Sequence, residues 1–381
     1  MHGRGFAVLF IAFVMAFAAQ HGSATRIMAP HCLARDTRLN LPIAELSRDV
    51  QTGSGLDARC AAQAILDWHA GKAIPLLTKL FRSGTVETRL EIAKALGGDR
   101  LPPRRKAVQP LLLRALHDSD ADVRGAAFDS LGFLQAYPHE ALLAALHALH
   151  HGKDLEFSAI EYLKEAPALP RWMAAPLLEV LEKTPADDGG TQTDVRIRLL
   201  HALARTRDPK ALAVVADAAL SCGGFCTVDA YEALVESREA GVAPLERIFP
   251  KANADARIDI LLALKQIDTP RSRAAVARRQ PGIVRAACRQ LDSVSVAEQS
   301  NGLAALGRMQ TLAQPALARI VSFLDNPDPQ LRAEAAAALG EIGLAAAIPP
   351  LRTHLHDSNN WVRSGVDTAL AKLDWTTRAS K

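Results

Sequence analysis

Aromatic residues are scarce in this chain: they fill 5% of 381 positions, while apolar residues of all kinds fill 49%. A core with so few rings is built mainly from Ala and Leu, which suits closely packed helices. Charge of one sign is also in short supply. A formal net charge of +4 is too small over so long a chain to argue for nucleic acid, and no nucleic-acid partner is expected. Beyond Ala24 no apolar run reaches the ~20 residues of a bilayer-spanning helix, so the mature chain is expected to have no membrane span. Chemical motifs are missing too. There is no G-x-S-x-G, no H-E-x-x-H, no phosphate-binding glycine loop and no pair of carboxylates spaced for a shared task. These gaps argue against an enzyme and against a resident cofactor, so no catalytic, cofactor-binding or metal-binding residue is assigned.

What is present begins at the N-terminus. His2 and Arg4 precede an apolar run from Phe6 to Ala19, and small residues follow, with Gly22 and Ala24 offering a small-x-small cleavage site. Residues 1–24 are therefore expected to be a cleaved signal peptide, and the protein to be periplasmic or secreted. Five cysteines fit an oxidising compartment. Cys222 and Cys226, in SCGGFC, form one candidate disulfide, and Cys32 with Cys60 a second; Cys288 is left alone.

From there on the chain repeats. Nine segments align on one anchor position, held by Arg89, Arg124, Glu156, Arg196, Thr227, Arg257, Gln299, Arg332 and Arg363. Seven residues later each carries a leucine: Leu96, Leu131, Leu163, Leu203, Leu234, Leu264, Leu306, Leu339 and Leu370. The residue before that leucine is Ala in seven of the nine, which lets a neighbouring helix come close. Four residues before the anchor stand helix-capping types in eight segments, Thr85, Asp120, Gly152, Gly223, Asn253, Ser295, Asp328 and Asn359, with Gln192 the exception. A cap, an anchor and a core leucine two turns on make each segment the second helix of a pair. The first helices carry a proline near their start, as in AIPLLTKLF, AVQPLLLRAL and GVAPLERIF. A further helix from Cys60 to Trp68 is expected to close the N-terminal end.

The segments DADVRGAAFDSLG from Asp120, DPQLRAEAAAALGEIG from Asp328 and NNWVRSGVDTALAKL from Asn359 resemble HEAT repeats, in particular the short type of phycobilisome lyases. The resemblance implies an all-α solenoid of about nine to ten helix pairs. The array is expected over residues 59–375, after a non-repeat segment or cap at 25–58 and before a tail at 376–381. Such families include scaffolds, regulators and a few enzymes, so the resemblance speaks to fold and hardly to activity.

The anchors Arg89, Arg124, Arg196, Arg257, Arg332 and Arg363 read as structural: stacked at equal positions, they can pair with turn residues such as Asp118, Asp325 and Asp357 and hold repeats in register. Anchor spacing is stretched twice, over the polar TPADDGGTQTD from Thr184 to Asp194 and over the basic segment from Pro270 to Ser295, which could add a helix. Insertions in solenoids often mark the binding face. Within the second stretch, Arg271, Arg273, Arg278, Arg279, Arg285 and Arg289 are the densest basic run and the candidate partner-binding surface. His147, His150 and His151 have the spacing of a metal pair but no acidic companion nearby in sequence, and fit a helix C-terminus equally well. The function expected is a non-catalytic scaffold that binds a protein or peptide partner. The alternatives are an enzyme or enzyme auxiliary of the lyase type and a binder of an anionic polymer.

Overall fold

The computed structural model describes residues 41–68, 70–98, 105–151, 156–184, 191–221 and 224–379. Every regular element among them is helical, and none is long and apolar enough to cross a membrane. The chain divides into two compact units, Met1–Leu169 and Pro170–Lys381.

Four helix pairs make the first unit: α1 (Ile43–Thr52) with α2 (Gly55–Trp68), α3 (Ala70–Ser83) with α4 (Val86–Leu96), α5 (Arg105–Ala115) with α6 (Ala121–Phe133), and α7 (His139–His151) with α8 (Glu156–Glu165). Six make the second. They are α9 (Ala174–Lys183) with α10 (Thr191–Arg205), α11 (Pro209–Ser221) with α12 (Gly224–Glu236), α13 (Glu239–Ile248) with α14 (Ala254–Ile267) and α15 (Pro270–Leu291) with α16 (Val296–Arg308). Then come α17 (Leu317–Ser322) with α18 (Pro329–Ile342) and α19 (Ile348–Thr353) with α20 (Asn360–Ala379), their first helices extended by 3₁₀ turns. Within each unit the second helices pack on one another in sequence, and the first helices form the layer beside them. This is the expected all-α solenoid.

The columns of the repeat explain the packing. Eight of the nine leucines are buried; Leu370, in the last helix, is half-buried. Each buried leucine stabilises its repeat by about 1.5–3 kcal/mol. The alanine before the leucine meets the residue eight after the anchor of the preceding repeat, where glycine recurs. A Cβ on Gly340 would lie 2.9 Å from the Ala369 Cα, and one on Gly307 would lie 3.2 Å from the Ala338 Cα. The two small columns therefore set the spacing between second helices.

Most caps form as expected: Thr85 accepts from the Thr88 N–H at 3.2 Å, Asn253 from the Ala256 N–H at 2.8 Å and Asp328 from the Gln330 N–H at 2.8 Å. One does not: Ser295 stands at the cap position without a side-chain bond, and Gln192, which is not a capping type, lies inside α10, because that helix starts at Thr191. The prolines of α3, α5 and α13 (Pro75, Pro110 and Pro244) sit inside their helices rather than in the first turn, since each helix starts five residues earlier. The segment from Pro270 does not add a helix. It forms one 22-residue first helix, opened by a Thr269–Ser272 capping box. At the other end, α1 and the start of α2 fall in the span expected to be non-repeat, and α2 begins at Gly55 rather than Cys60. Arg59 and the buried Leu66 repeat the anchor-to-leucine spacing there.

Candidate functional site

The anchors work from both ends. Arg332 donates to the Asn326 carbonyl of the turn before its own helix at 2.9 Å, and through Nε and Nη2 to the Asp357 carboxylate of the next turn, both at 2.9 Å. Arg89 likewise donates to the Gly84 carbonyl and bidentately to Asp118, at 2.7 and 2.9 Å. Burial pushes the Asp118 carboxyl up, but the bonds from Arg89 and the Asp120 N–H outweigh it and hold the group below its ordinary value. Asp357 is held low chiefly by the bond from Arg332. The remaining anchors bind carbonyls only: Arg124 those of Asp118 and Ser119, Arg363 those of Asp357 and Ser358, Arg196 those of Leu181 and Thr184, and Arg257 those of Phe249 and Pro250. Asp325 does not meet an anchor. It is exposed and faces His354 at 3.6 Å, because the anchor that would reach forward to its turn is Gln299 and the position two before the cap is held by Asn326.

Opposite the core leucine, a rotation of about 100° per residue puts positions two, five and nine after the anchor on one outer face. In the second unit that face is charged. On α10 it carries Arg198, His201 and Arg205; on α12, Asp229, Glu232 and Glu236; on α14, Asp259; and on α16, Arg308. Arg308 bridges Asp255 and Asp259, the latter at 2.8 Å. Burial still raises the Asp259 carboxyl, and Arg308 only partly offsets it. The hydroxyl of Tyr231, between these helices, is buried with no hydrogen-bond partner among the described residues.

The centre of this face is His201, 5% exposed. Its Nδ1 lies 3.1 Å from Glu236 Oε2 and its Nε2 3.5 Å from Asp229 Oδ1, while Arg205 holds Glu236 at 3.1 Å. Burial works against charge on the ring, but the bonds to Asp229 and Glu236 win and push its pKa up to about 9. Among the described residues, His201, Asp229 and Glu232 are the one group with three possible metal-ligand atoms within 4.8 Å of one another. Sequence reasoning missed it. The usable signal was register: His201 stands five after one anchor, and Asp229 and Glu232 stand two and five after the next, so adjacent helices bring them together.

On the other layer lies the basic run. Arg271, Arg278, Arg285 and Arg289, at intervals of seven, seven and four, fall on one face of α15, away from buried Val276, Val284 and Ala287. At the first end of the helix, Glu246 of α13 gathers Arg278 at 2.6 Å, Arg279 at 3.1 Å and Arg271 at 3.4 Å, and Arg273 pairs with Asp268 at 3.4 Å. Arg279 and Arg257 also flank the Phe249 ring, at 5.1 and 5.7 Å from its centre. Arg285 is exposed and donates only to the Pro281 carbonyl, and Arg289 is exposed as well.

Of the other expected residues, His147 is exposed and His150 half-buried; the His151 side chain lies outside the description. Cys32 and Cys222 lie outside the described residues too, so both expected disulfides fall there. Cys60 and Cys226 are buried and not free, and Cys288 is the free cysteine among the described residues. The signal segment 1–24 and most of the polar stretch after Thr184 are likewise outside; residues 191–194 of that stretch are already helical. A half-open hollow near the C-terminal end, lined by Ala337, Ser364, Gly365, Thr368, Ala369 and Lys372, holds about 160 Å³. That is below the ~300 Å³ of ordinary small-molecule pockets.

With this architecture in view, the known proteins it matches are informative about fold. HEAT repeats are recognised over residues 73–164 and 284–371. The match reaches the HEAT family and not the lyase-type subgroup within it. Among solved structures, the karyopherin Kap121p bound to Pho4p is similar at a TM-score of 0.56 and 15% identity, over 91% of this chain and 42% of that one. Kap121p bound to the extreme C-terminus of the protein phosphatase Cdc14p gives 0.54 at 15% identity, over 91% and 43%. This chain thus spans less than half the karyopherin's length. Human deoxyhypusine hydroxylase aligns at a TM-score of only 0.25 and 17% identity, over 72% of this chain and 99% of that one, too low to bear on activity. No curated protein sequence matches the chain. The protein is an all-α solenoid that carries HEAT repeats over these two stretches.

Proposed function

We propose that this solenoid is a non-catalytic scaffold of the bacterial periplasm or exterior, which binds an acidic segment of a partner protein along α15. The observation that carries the reading is the arginine stripe. From Arg271 to Arg289 it runs along 18 residues of one helix, about 27 Å at 1.5 Å per residue, and its second half faces no carboxylate among the described residues. Such a row steers and orients an acidic chain more than it supplies raw affinity. The fold supports the reading in kind, since two of the similar solved structures are karyopherins seen with a bound protein or protein segment. The sequence features that favour export are the leader-like N-terminus and five cysteines, which suit an oxidising compartment and which we pair as Cys32–Cys60 and Cys222–Cys226.

The test is capture of partners by the full chain, tagged after Lys381 and expressed in its own host, set beside the double variant Arg285→Glu, Arg289→Glu. An exported partner lost in the variant and weakened by salt supports the proposal. Equal capture by both proteins overturns the surface, and a protein found only in the cytosol overturns the location.

A further inference from the structure

We propose that His201, Asp229 and Glu232 form a binding site for one divalent transition-metal ion of the zinc type, on the face of the second helices and apart from the α15 stripe. The donors are of the right kind, one imidazole nitrogen and two carboxylates. Their placement fits as well. The 3.5 Å between His201 Nε2 and Asp229 Oδ1 matches the ~3.4 Å between two ligands each about 2.1 Å from one tetrahedral ion.

What separates this group from an ordinary ion pair is the far side of the ring. Nδ1 donates to Glu236 at 3.1 Å, which holds the ring in place, so that an ion displacing the Nε2 proton to solvent meets the Nε2 lone pair beside Asp229 and Glu232. Glu236 is itself held by Arg205. A buried imidazole backed by an oriented carboxylate, with two more carboxylates in front, is the arrangement of a ligand with its supporting shell. The charged groups of this face are Arg198 and Arg205 on α10, the three carboxylates of α12, and Asp255 and Asp259 on α14, which Arg308 neutralises in part. The helix α11, which packs on both α10 and α12, buries Ala211, Leu212 and Val215. The open side is that of Glu232, which is exposed, so an ion can enter from solvent and keep a water as its fourth ligand.

The experiment is titration of Zn²⁺ into the full metal-stripped chain, followed by calorimetry, with Co²⁺ substitution read by visible absorption. The expected result is one ion per chain, with a Co²⁺ band in the intensity range of a four-coordinate site. Asp229→Asn and Glu232→Gln, on the outer face and compatible with folding, should each weaken binding at least tenfold. Circular dichroism checks that both fold. Glu236→Gln should weaken binding less than either. No saturable binding, or binding that survives Asp229→Asn and Glu232→Gln unchanged, would overturn the proposal.

Discussion

The stretches recognised as HEAT repeats, residues 73–164 and 284–371, and the stretch between them follow the same helix pairing but different side-chain rules. In the recognised stretches an anchor arginine can find an aspartate in the next turn, as Arg89 finds Asp118 and Arg332 finds Asp357. Between them, Thr227 stands at one anchor position, and Arg196 and Arg257, like Arg124 and Arg363 elsewhere, bind carbonyls alone; the Arg196 Nε is buried with no partner among the described residues. It is there that the polar face gathers His201, Asp229, Glu232 and Glu236, and there that the first half of the arginine stripe, Arg271 and Arg278, lies. Charges that do not serve register are available for other tasks.

This contrast can be broken at several points. The largest effect is expected from Gly340→Val, which drives a side chain into the Ala369 backbone. It should cost about 3 kcal/mol in denaturant unfolding. The matching middle positions already carry Val235 and Lys265, so Val235→Gly should cost no more than about 1 kcal/mol, mostly in backbone entropy. Next, Arg332→Ala strands the 8%-exposed Asp357 carboxylate and should cost roughly 2–4 kcal/mol. Arg257→Ala, which leaves no carboxylate behind, should cost about 1 kcal/mol. If the two losses are equal, the aspartate adds nothing.

The pH response should differ in sign. Asp118 and Asp357 titrate below their unfolded values, so their stabilisation is present above about pH 4 and is lost as pH falls through the folded values. His201 titrates above its own, so in the metal-free protein its contribution is full below about pH 6.5 and is lost as pH rises through about 9. Acid should therefore loosen the α4–α6 and α18–α20 contacts and alkali the α10–α12 contact, as read by hydrogen exchange resolved along the chain. His201→Gln should abolish the alkaline limb and leave the acid limb intact. The smallest effect is at the caps: Asp328→Ala should cost about 1 kcal/mol, and Ser295→Ala, which breaks no side-chain bond, close to nothing.

The repeat and its helical partner could be read from sequence because cap, anchor and leucine sit at fixed offsets within one helix. The roles of Arg89 and Arg332 were legible for the same reason, since their aspartates recur two residues before the next cap. What faces what across helices was not legible. His201 and Asp229 are 28 positions apart, and only the packing of α10 on α12 joins them. Arg59 escaped because its segment lacks the alanine before Leu66, where Ile65 stands instead. The basic segment of α15 was found, but its single stripe depends on an uninterrupted helix through Pro281, which sequence argues against.

The two-ended grip of Arg332 has a further consequence. One guanidinium touches the turn that begins its own helix and the turn that begins the next, so neither turn can open while the other stays closed. Local breathing there must involve two helix pairs together, like links sharing a rivet. Thr227 carries no guanidinium to serve as such a rivet, so a single pair there can breathe alone. The stretch that departs most from the repeat rule is thereby also the stretch best able to change shape around whatever it binds.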